Sequence, residues 1–101
     1  WASTIHGLIA FDNNKITQVL QKKDGLFTHD IQRVKSFGDH IYLASSEGLQ
    51  IYYPKENKFI NYTKIDGLPS NLVNDVVEFE DYIYAATEKG LVEIPILVFI
   101  L

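Results

Sequence analysis

Residues 66–91, DGLPSNLVNDVVEFEDYIYAATEKGL, have a counterpart 42 residues earlier in the chain. The counterpart, residues 24–49, reads DGLFTHDIQRVKSFGDHIYLASSEGL. Aligned without a gap, residues 24–51 and 66–93 share 11 identities in 28 positions, against about two expected by chance from ordinary composition. A fixed period in this range is typical of propellers, solenoids and other repeat arrays. The repeat therefore decides the fold.

A third copy of the repeat begins the chain. Residues 1–8, WASTIHGL, match residues 42–49 and 84–91, so the first residue already lies inside a repeat. We therefore expect the chain to be a piece of a longer repeat protein.

Between the glycines and prolines lie short segments rich in Ile, Val, Tyr, Phe and Thr, which is the usual composition of strands. No segment has the length of an ordinary helix. Four such segments fit into each repeat, which is the arithmetic of a propeller blade. We predict an all-β fold: a partial β-propeller of four-stranded antiparallel blades with a repeat of 42 residues.

The repeat divides the chain into unequal parts. Residues 1–23 are predicted to be the last three strands of one blade, 24–65 a complete blade, and 66–94 the first three strands of a third. Residues 95–101, PILVFIL, lack turn residues. They are too short to cross a bilayer, which takes about 20 residues. A core strand, the start of a membrane helix and a sequence error all remain open for this tail.

Composition and motifs exclude several classes of function. The net charge of −4 comes with no clustered basic face, so no nucleic-acid partner is expected. The absence of cysteine rules out disulfide scaffolds and Cys-based metal or redox sites. The chain also carries no phosphate loop, His-Glu-x-x-His motif or nucleophile elbow. We therefore predict no catalytic residue, cofactor or metal, and expect no enzyme activity in these residues.

Five polar residues beside the repeat's turns are candidate ligand contacts. His6, Glu47 and Lys89 occupy one equivalent position, before the glycine of the second turn, and such turns gather at one face of a propeller. His29 and Asn71 follow the Asp-Gly-Leu turns, just before the strand nearest the propeller axis. The alternative, which turn chemistry favours, is that these polar residues are solvated or bond their own backbone.

Aromatic residues at one register suggest packing between blades. Trp1, Tyr42 and Tyr84 recur at the same strand position, and we expect each to be buried against a neighbouring blade. Three tyrosines on outer strands are predicted to be freer: Tyr52, Tyr53 and Tyr62.

Polar residues elsewhere are interpreted as solvated. Gln50 is assigned to the wetter outer rim. Glu78, Glu80 and Asp81 cluster around a hairpin turn, where a solvated sheet edge is the natural explanation and a catalytic pair the minor one.

In residues 66–71 and 84–91 the chain resembles the two-component regulator propeller repeat. That family's blade reads Asp-Gly-Leu-Pro-Ser-Asn, a strand, hydrophobic-Trp-hydrophobic-Gly-Thr, two variable residues and Gly-Leu. Residues 66–71 match the turn residue for residue, and residues 87–91 match the second signature. Ala86 stands in the Gly position and Tyr84 in the Trp position, whereas the middle repeat has Phe27 for Pro and His29 for Asn.

The resemblance implies a recognition function outside the cytoplasm. It suggests the periplasmic propeller of a Bacteroides-type hybrid sensor histidine kinase, in which the kinase and membrane segments lie elsewhere in the chain. The implied partners are an oligosaccharide or other small ligand, the rest of the propeller, and a second copy in a homodimer. The alternative is a structural or docking propeller in a cell-envelope or secretion assembly. Both interpretations place the chain in the bacterial periplasm or at the cell surface.

Overall fold

The computed structural model describes residues 1–96, and these are mostly β. Its ten strands are β1 (Ala2–Thr4), β2 (Gly7–Asp12), β3 (Lys15–Leu20), β4 (Ile31–Phe37), β5 (His40–Ser45), β6 (Gly48–Tyr53), β7 (Lys58–Tyr62), β8 (Val73–Phe79), β9 (Tyr82–Thr87) and β10 (Gly90–Pro95). Two one-turn 3-10 helices, Lys22–Asp24 and Lys64–Asp66, are the helical elements of this part of the chain. None of its helices is long and apolar enough to span a bilayer.

Sequential strands pair antiparallel into three meanders. The first sheet holds β1, β2 and β3, the middle sheet β4, β5, β6 and β7, and the third sheet β8, β9 and β10. The predicted all-β class and the antiparallel pairing are thereby confirmed. Pro95 ends β10, but residues 97–101 of the apolar tail lie outside the described residues. The propeller itself remains a prediction.

The repeated Asp-Gly-Leu turn has one hydrogen-bonding pattern in both copies. The aspartate carboxylate accepts a backbone N–H three residues earlier, from Gln21 to Asp24 (2.9 Å) and from Thr63 to Asp66 (3.0 Å). The glycines that follow have φ near +117° and +119°, a conformation that side chains disfavour. The leucines after them, Leu26 and Leu68, are each 3% exposed. The motif therefore reverses the chain and places a leucine in the core.

Glycine in the second turn is required by a close backbone approach. A Cβ at Gly7 would lie 2.2 Å from the carbonyl oxygen of Leu20, and one at Gly48 2.9 Å from that of Tyr62. In each case the obstructing carbonyl belongs to the last residue of the outermost strand of the sheet. Gly90 has a similar φ of +125° but open space around its Cβ position, because residues 1–96 supply no fourth strand to the third sheet.

The core lies between the sheets, which stack face to face. Buried side chains of the first and middle sheets and of the loop between them form one cluster: Leu8, Leu20, Leu26, Ile41, Leu43 and Tyr52. The middle and third sheets form the other with their connecting loop: Tyr42, Ala44, Leu49, Ile51, Leu68, Val73, Val76, Ile83, Ala85 and Ile94. Successive residues of β5 point into opposite clusters, as a strand's alternation requires. β5 is therefore covered on both faces, whereas β9 is covered on one face among residues 1–96.

The aromatic register behaves as predicted only where a neighbouring sheet is present. Tyr42 is 1% exposed against the third sheet, and Trp1 packs edge-on against Tyr52, with ring centroids 5.7 Å apart. Tyr84 lies on the uncovered face of the third sheet and is partly exposed. The packing prediction is therefore confirmed for Tyr42, whereas Trp1 contacts the neighbouring sheet but is only partly buried, and no described residue covers Tyr84 in the same way.

Two predictions about the outer strands are wrong. Tyr52 is fully buried rather than free, because Trp1 of the first sheet and Phe59 of β7 enclose its ring. Gln50 is 2% exposed rather than on a wet rim. The loop that enters the middle sheet covers Gln50. The side-chain oxygen of Gln50 accepts the backbone N–H of Phe27 in that loop (2.9 Å).

Candidate functional site

The three predicted turn residues share one structural role. Each donates its backbone N–H to a hydroxyl two residues earlier: His6 to Thr4 (3.0 Å), Glu47 to Ser45 (3.1 Å) and Lys89 to Thr87 (3.2 Å). The same hydroxyls donate to the carbonyl of the turn glycine in all three sheets. The side chains of His6, Glu47 and Lys89 are exposed at these turns. Their contact with a ligand remains a prediction.

The two other predicted residues lie at the same end of their sheets as those turns. Ile31, at the start of β4, pairs with Ser45, at the end of β5, so the segment containing His29 adjoins the second turn. Asn71 accepts the Lys64 N–H through Oδ1 at 2.7 Å, which ties the loop to itself. His29 is half-buried, and its Nε2 has no hydrogen-bond partner among residues 1–96.

Hydroxyls beside these two residues support the loop backbone. Thr28 Oγ1 accepts the Asp30 N–H at 3.1 Å, and Ser70 Oγ accepts the Leu72 N–H at 3.2 Å. Thr28 and Ser70 thus bond the backbone of their own loops. At this end of the sheets, hydroxyls and Asn71 bond nearby backbone groups, whereas His29 Nε2 has no partner among residues 1–96.

The opposite end of the stack contains a cleft of about 220 Å³ between the middle and third sheets. Three isoleucines form its apolar part: Ile51 of β6, Ile83 of β9 and Ile96 after β10. Its polar part comes from five side chains: Asp39, His40, Tyr42, Tyr53 and Glu78. An apolar pocket with a few converging polar groups is the usual form of a small-ligand site.

His40 is held between carboxylates from two different sheets. It begins β5, directly after the hairpin turn that carries Asp39. Its Nδ1 lies 2.9 Å from Asp39 Oδ1, and its Nε2 lies 2.9 Å from Oε1 of Glu78 in β8. Burial by itself lowers the pKa of His40, but these two hydrogen bonds and charges together raise it above its usual value. The arrangement favours an imidazolium that links the middle and third sheets.

Glu78 is the acceptor at the centre of this cluster. Its Oε1 also accepts the Tyr42 hydroxyl, so both protein hydrogen bonds end on one carboxylate oxygen. Burial, followed by that bond to Glu78, raises the pKa of Tyr42, which keeps the hydroxyl a donor. The His40 hydrogen bond lowers the pKa of Asp39. The carboxylates are therefore acceptors with fixed orientations.

Tyr53 completes the wall of the cleft. Its ring lies beside the His40 imidazole, with centroids 5.4 Å apart and the planes inclined by 35°. Burial, and then the negative charges of Asp39 and Glu78, raise the pKa of Tyr53. The cleft thus combines aromatic surface with a negative field.

A second ion pair links the first strands of the two sheets. Lys35 Nζ lies 3.0 Å from Asp75 Oδ1, and Arg33 Nε is 3.9 Å from the same oxygen. The Lys35 hydrogen bond lowers the pKa of Asp75. All three side chains are at least about one-third exposed, and exposed pairs contribute only about 0–1 kcal/mol. This pair helps to align β4 with β8.

Sequence reasoning missed the cleft. Glu78 was expected at a solvated edge, but its side chain is 23% exposed and faces His40 of the neighbouring sheet. The available signal was departure from the repeat: His40 stands where the next unit has Tyr82, and Glu78 where the preceding unit has Ser36. Two positions that break a repeat and then meet in space are candidates for function.

Sequence comparison assigns the chain to no known family. The chain matches no family model and no curated protein. Among residues 1–96, no group of three or more His, Asp or Glu side chains is placed to hold a metal ion. The fold is that of an all-β repeat protein with three stacked antiparallel sheets.

Proposed function

We propose that the chain is a recognition segment of a bacterial periplasmic β-propeller, in the sensor region of a two-component system. The observation that carries the proposal is the middle sheet, which is covered on both faces by sheets of the same repeat. Face-to-face stacking of four-stranded meanders is how blades pack in a propeller. The proposed role is ligand binding, with the kinase chemistry in another part of the protein.

The cleft between the middle and third sheets is the proposed binding site. Its polar groups are oriented before a ligand arrives, because His40 and Tyr42 are bonded to Glu78 across the sheet boundary. Preorganised groups bind with a smaller loss of conformational entropy than mobile ones. Since the cleft lies between two repeat units, a ligand that contacts both would favour one arrangement of the units over another, which is what signalling requires.

A small oligosaccharide is the ligand class that the family resemblance suggests. Tyr53 offers an aromatic ring, and the Asp39 and Glu78 carboxylates offer acceptors for sugar hydroxyls. With a volume of about 220 Å³, the cleft holds one terminal sugar ring rather than a whole chain.

Calorimetric titration of a panel of neutral and charged oligosaccharides against the chain tests the proposal. We expect one or more members to bind, and Tyr53→Ala to weaken that binding at least fivefold. Tyr84→Ala, on the uncovered face of the third sheet, is the matched control and should leave it unchanged. If no member of the panel binds, the recognition proposal fails and the docking alternative becomes the better one.

A further inference from the structure

We infer that the cleft between the middle and third sheets selects a ligand bearing a protonated primary amine, such as an amino sugar. This inference rests on the recognition function proposed above and specifies the chemistry of its ligand. It is carried by the position of the carboxylates around an apolar floor.

The charges that face the cleft are mainly negative. On the middle sheet, Asp39 lies in the turn before β5, and Lys55 and Glu56 lie in the loop after β6, close enough to influence Asp39 and Tyr53 respectively. The third sheet contributes Glu78. In the lining itself, the carboxylates of Asp39 and Glu78 outnumber the one imidazolium of His40, while Lys55 and Glu56 outside the lining offset each other. A cationic ligand therefore gains electrostatic energy that a neutral one does not.

The geometry leaves carboxylate positions for an incoming cation. Both hydrogen bonds to Glu78 end on Oε1, and the His40 bond to Asp39 ends on Oδ1. Among residues 1–96, these bonds leave Glu78 Oε2 open to an ammonium group, which has three N–H donors, and the Asp39 side chain is 64% exposed and can accept a further donor. Glu78 is only 23% exposed, so an ion pair formed there is less screened by water than one on an open surface.

The remaining walls suit the body of such a ligand. Tyr53 presents a ring beside His40, and a tyrosine face attracts cations as well as stacking on sugar rings. Ile51 and Ile83 form an apolar surface for carbon-bound hydrogens. A compact ring with one ammonium substituent fits these features better than a flexible chain does.

The test compares three monosaccharides that share a ring and differ at one substituent. Glucosamine carries an amine, glucose a hydroxyl at the same carbon, and N-acetylglucosamine an uncharged amide. At about pH 7 an amine resembling an α-amino group, with a pKa of about 7.7–8.0, is mostly protonated. We expect glucosamine to bind the chain at least tenfold more tightly than glucose or N-acetylglucosamine, as measured by NMR titration.

Two variants locate the effect and one controls for charge. Asp39→Asn, in an exposed turn, and Glu78→Gln should each reduce the preference for glucosamine to less than threefold. Glu93→Gln removes the same charge from an exposed position on β10 and should keep the preference. Asp39→Asn remains informative even if Glu78→Gln disturbs the packing of the sheets.

The outcomes separate this inference from the proposed function. Equal binding of glucosamine and glucose would overturn the amine inference and leave the recognition proposal standing. A glucosamine preference that survives Asp39→Asn would also overturn it, because the cation would then be bound elsewhere. If none of the three sugars binds, the amine inference fails, and the oligosaccharide panel decides the recognition proposal separately.

Discussion

His40 is the residue at which two sheets are joined by charge. Its two ring nitrogens contact carboxylates from the middle sheet and from the third sheet, and its side chain is only 17% exposed. Both contacts are best satisfied when both nitrogens carry hydrogen. The protonation of one side chain is therefore coupled to the association of two repeat units.

This coupling predicts a pH-dependent stability. Because the folded pKa of His40 is raised above its usual value of about 6.5, the folded state binds more protons than the unfolded state between the two pKa values. The contribution of His40 is fully present below about pH 6.5 and is lost as pH rises through the folded pKa. A tenfold gain in the proton affinity of a side chain on folding corresponds to about 1.4 kcal/mol of unfolding free energy.

Urea denaturation between about pH 6 and 9 measures this effect, since that interval brackets the ordinary histidine pKa. His40→Gln should flatten the decline in unfolding free energy over this range. His6→Gln, which alters an exposed turn, is the control and should leave the decline in place. An unchanged pH profile in His40→Gln would show that another group is responsible.

At the scale of strands, equivalent elements differ in what covers them. β5 and β9 have the same length and related sequences, HIYLAS and YIYAAT. Five of the six residues of β5 are buried, whereas β9 alternates between buried and more exposed positions. The difference arises because sheets pack on both faces of β5, but on only one face of β9 among the described residues.

Substitution of the equivalent tyrosines tests this difference. Tyr42→Ala should cost about 3–5 kcal/mol of unfolding free energy, the range for deleting a buried aromatic ring. Tyr84→Ala, at the same register of β9, should cost less than about 1 kcal/mol, because its ring is partly exposed. Chemical denaturation of the two variants measures both values. Similar losses would mean that the third sheet does not cover Tyr42 as described.

At the scale of the whole molecule, the outer faces of the first and third sheets are apolar. Large exposed side chains on the third sheet are Val77 (44%), Phe79 (62%), Tyr82 (39%) and Leu91 (71%). Those on the first sheet are Phe11 (57%), Ile16 (64%) and Val19 (44%). Contiguous exposed apolar surface promotes association.

We expect the chain on its own to self-associate through these faces. Sedimentation velocity should show a sedimentation coefficient that rises with protein concentration. Leu91→Lys should reduce the association, because it places a charge on the exposed face of the third sheet. Ile65→Lys, at a lone 98%-exposed position in the second 3-10 turn, should not change it. A monomer at every concentration tested would contradict the expectation.

The sequence alone determined the local structure. Strand positions follow from short β-branched and aromatic segments, and turns follow from Asp-Gly-Leu and the turn glycines, since these preferences act over a few residues. The 42-residue period then showed that the local pattern repeats, which predicted sheets of one kind. Apolar residues on both faces of β5 and of β9 favoured cover on both sides, which residues 1–96 supply only for β5.

Tertiary structure alone decided which side chains meet across sheets. His40 and Glu78 are 38 residues apart in different units, and no local preference links them. Tyr42 and Tyr84 have the same identity and register, yet only Tyr42 is enclosed, because burial depends on a neighbouring sheet. Tyr52 was misassigned for the same reason, whereas Gln50 is buried by the loop that enters its own sheet. A single sequence shows what each unit is made of, but side-chain contacts between units arise only when the sheets stack.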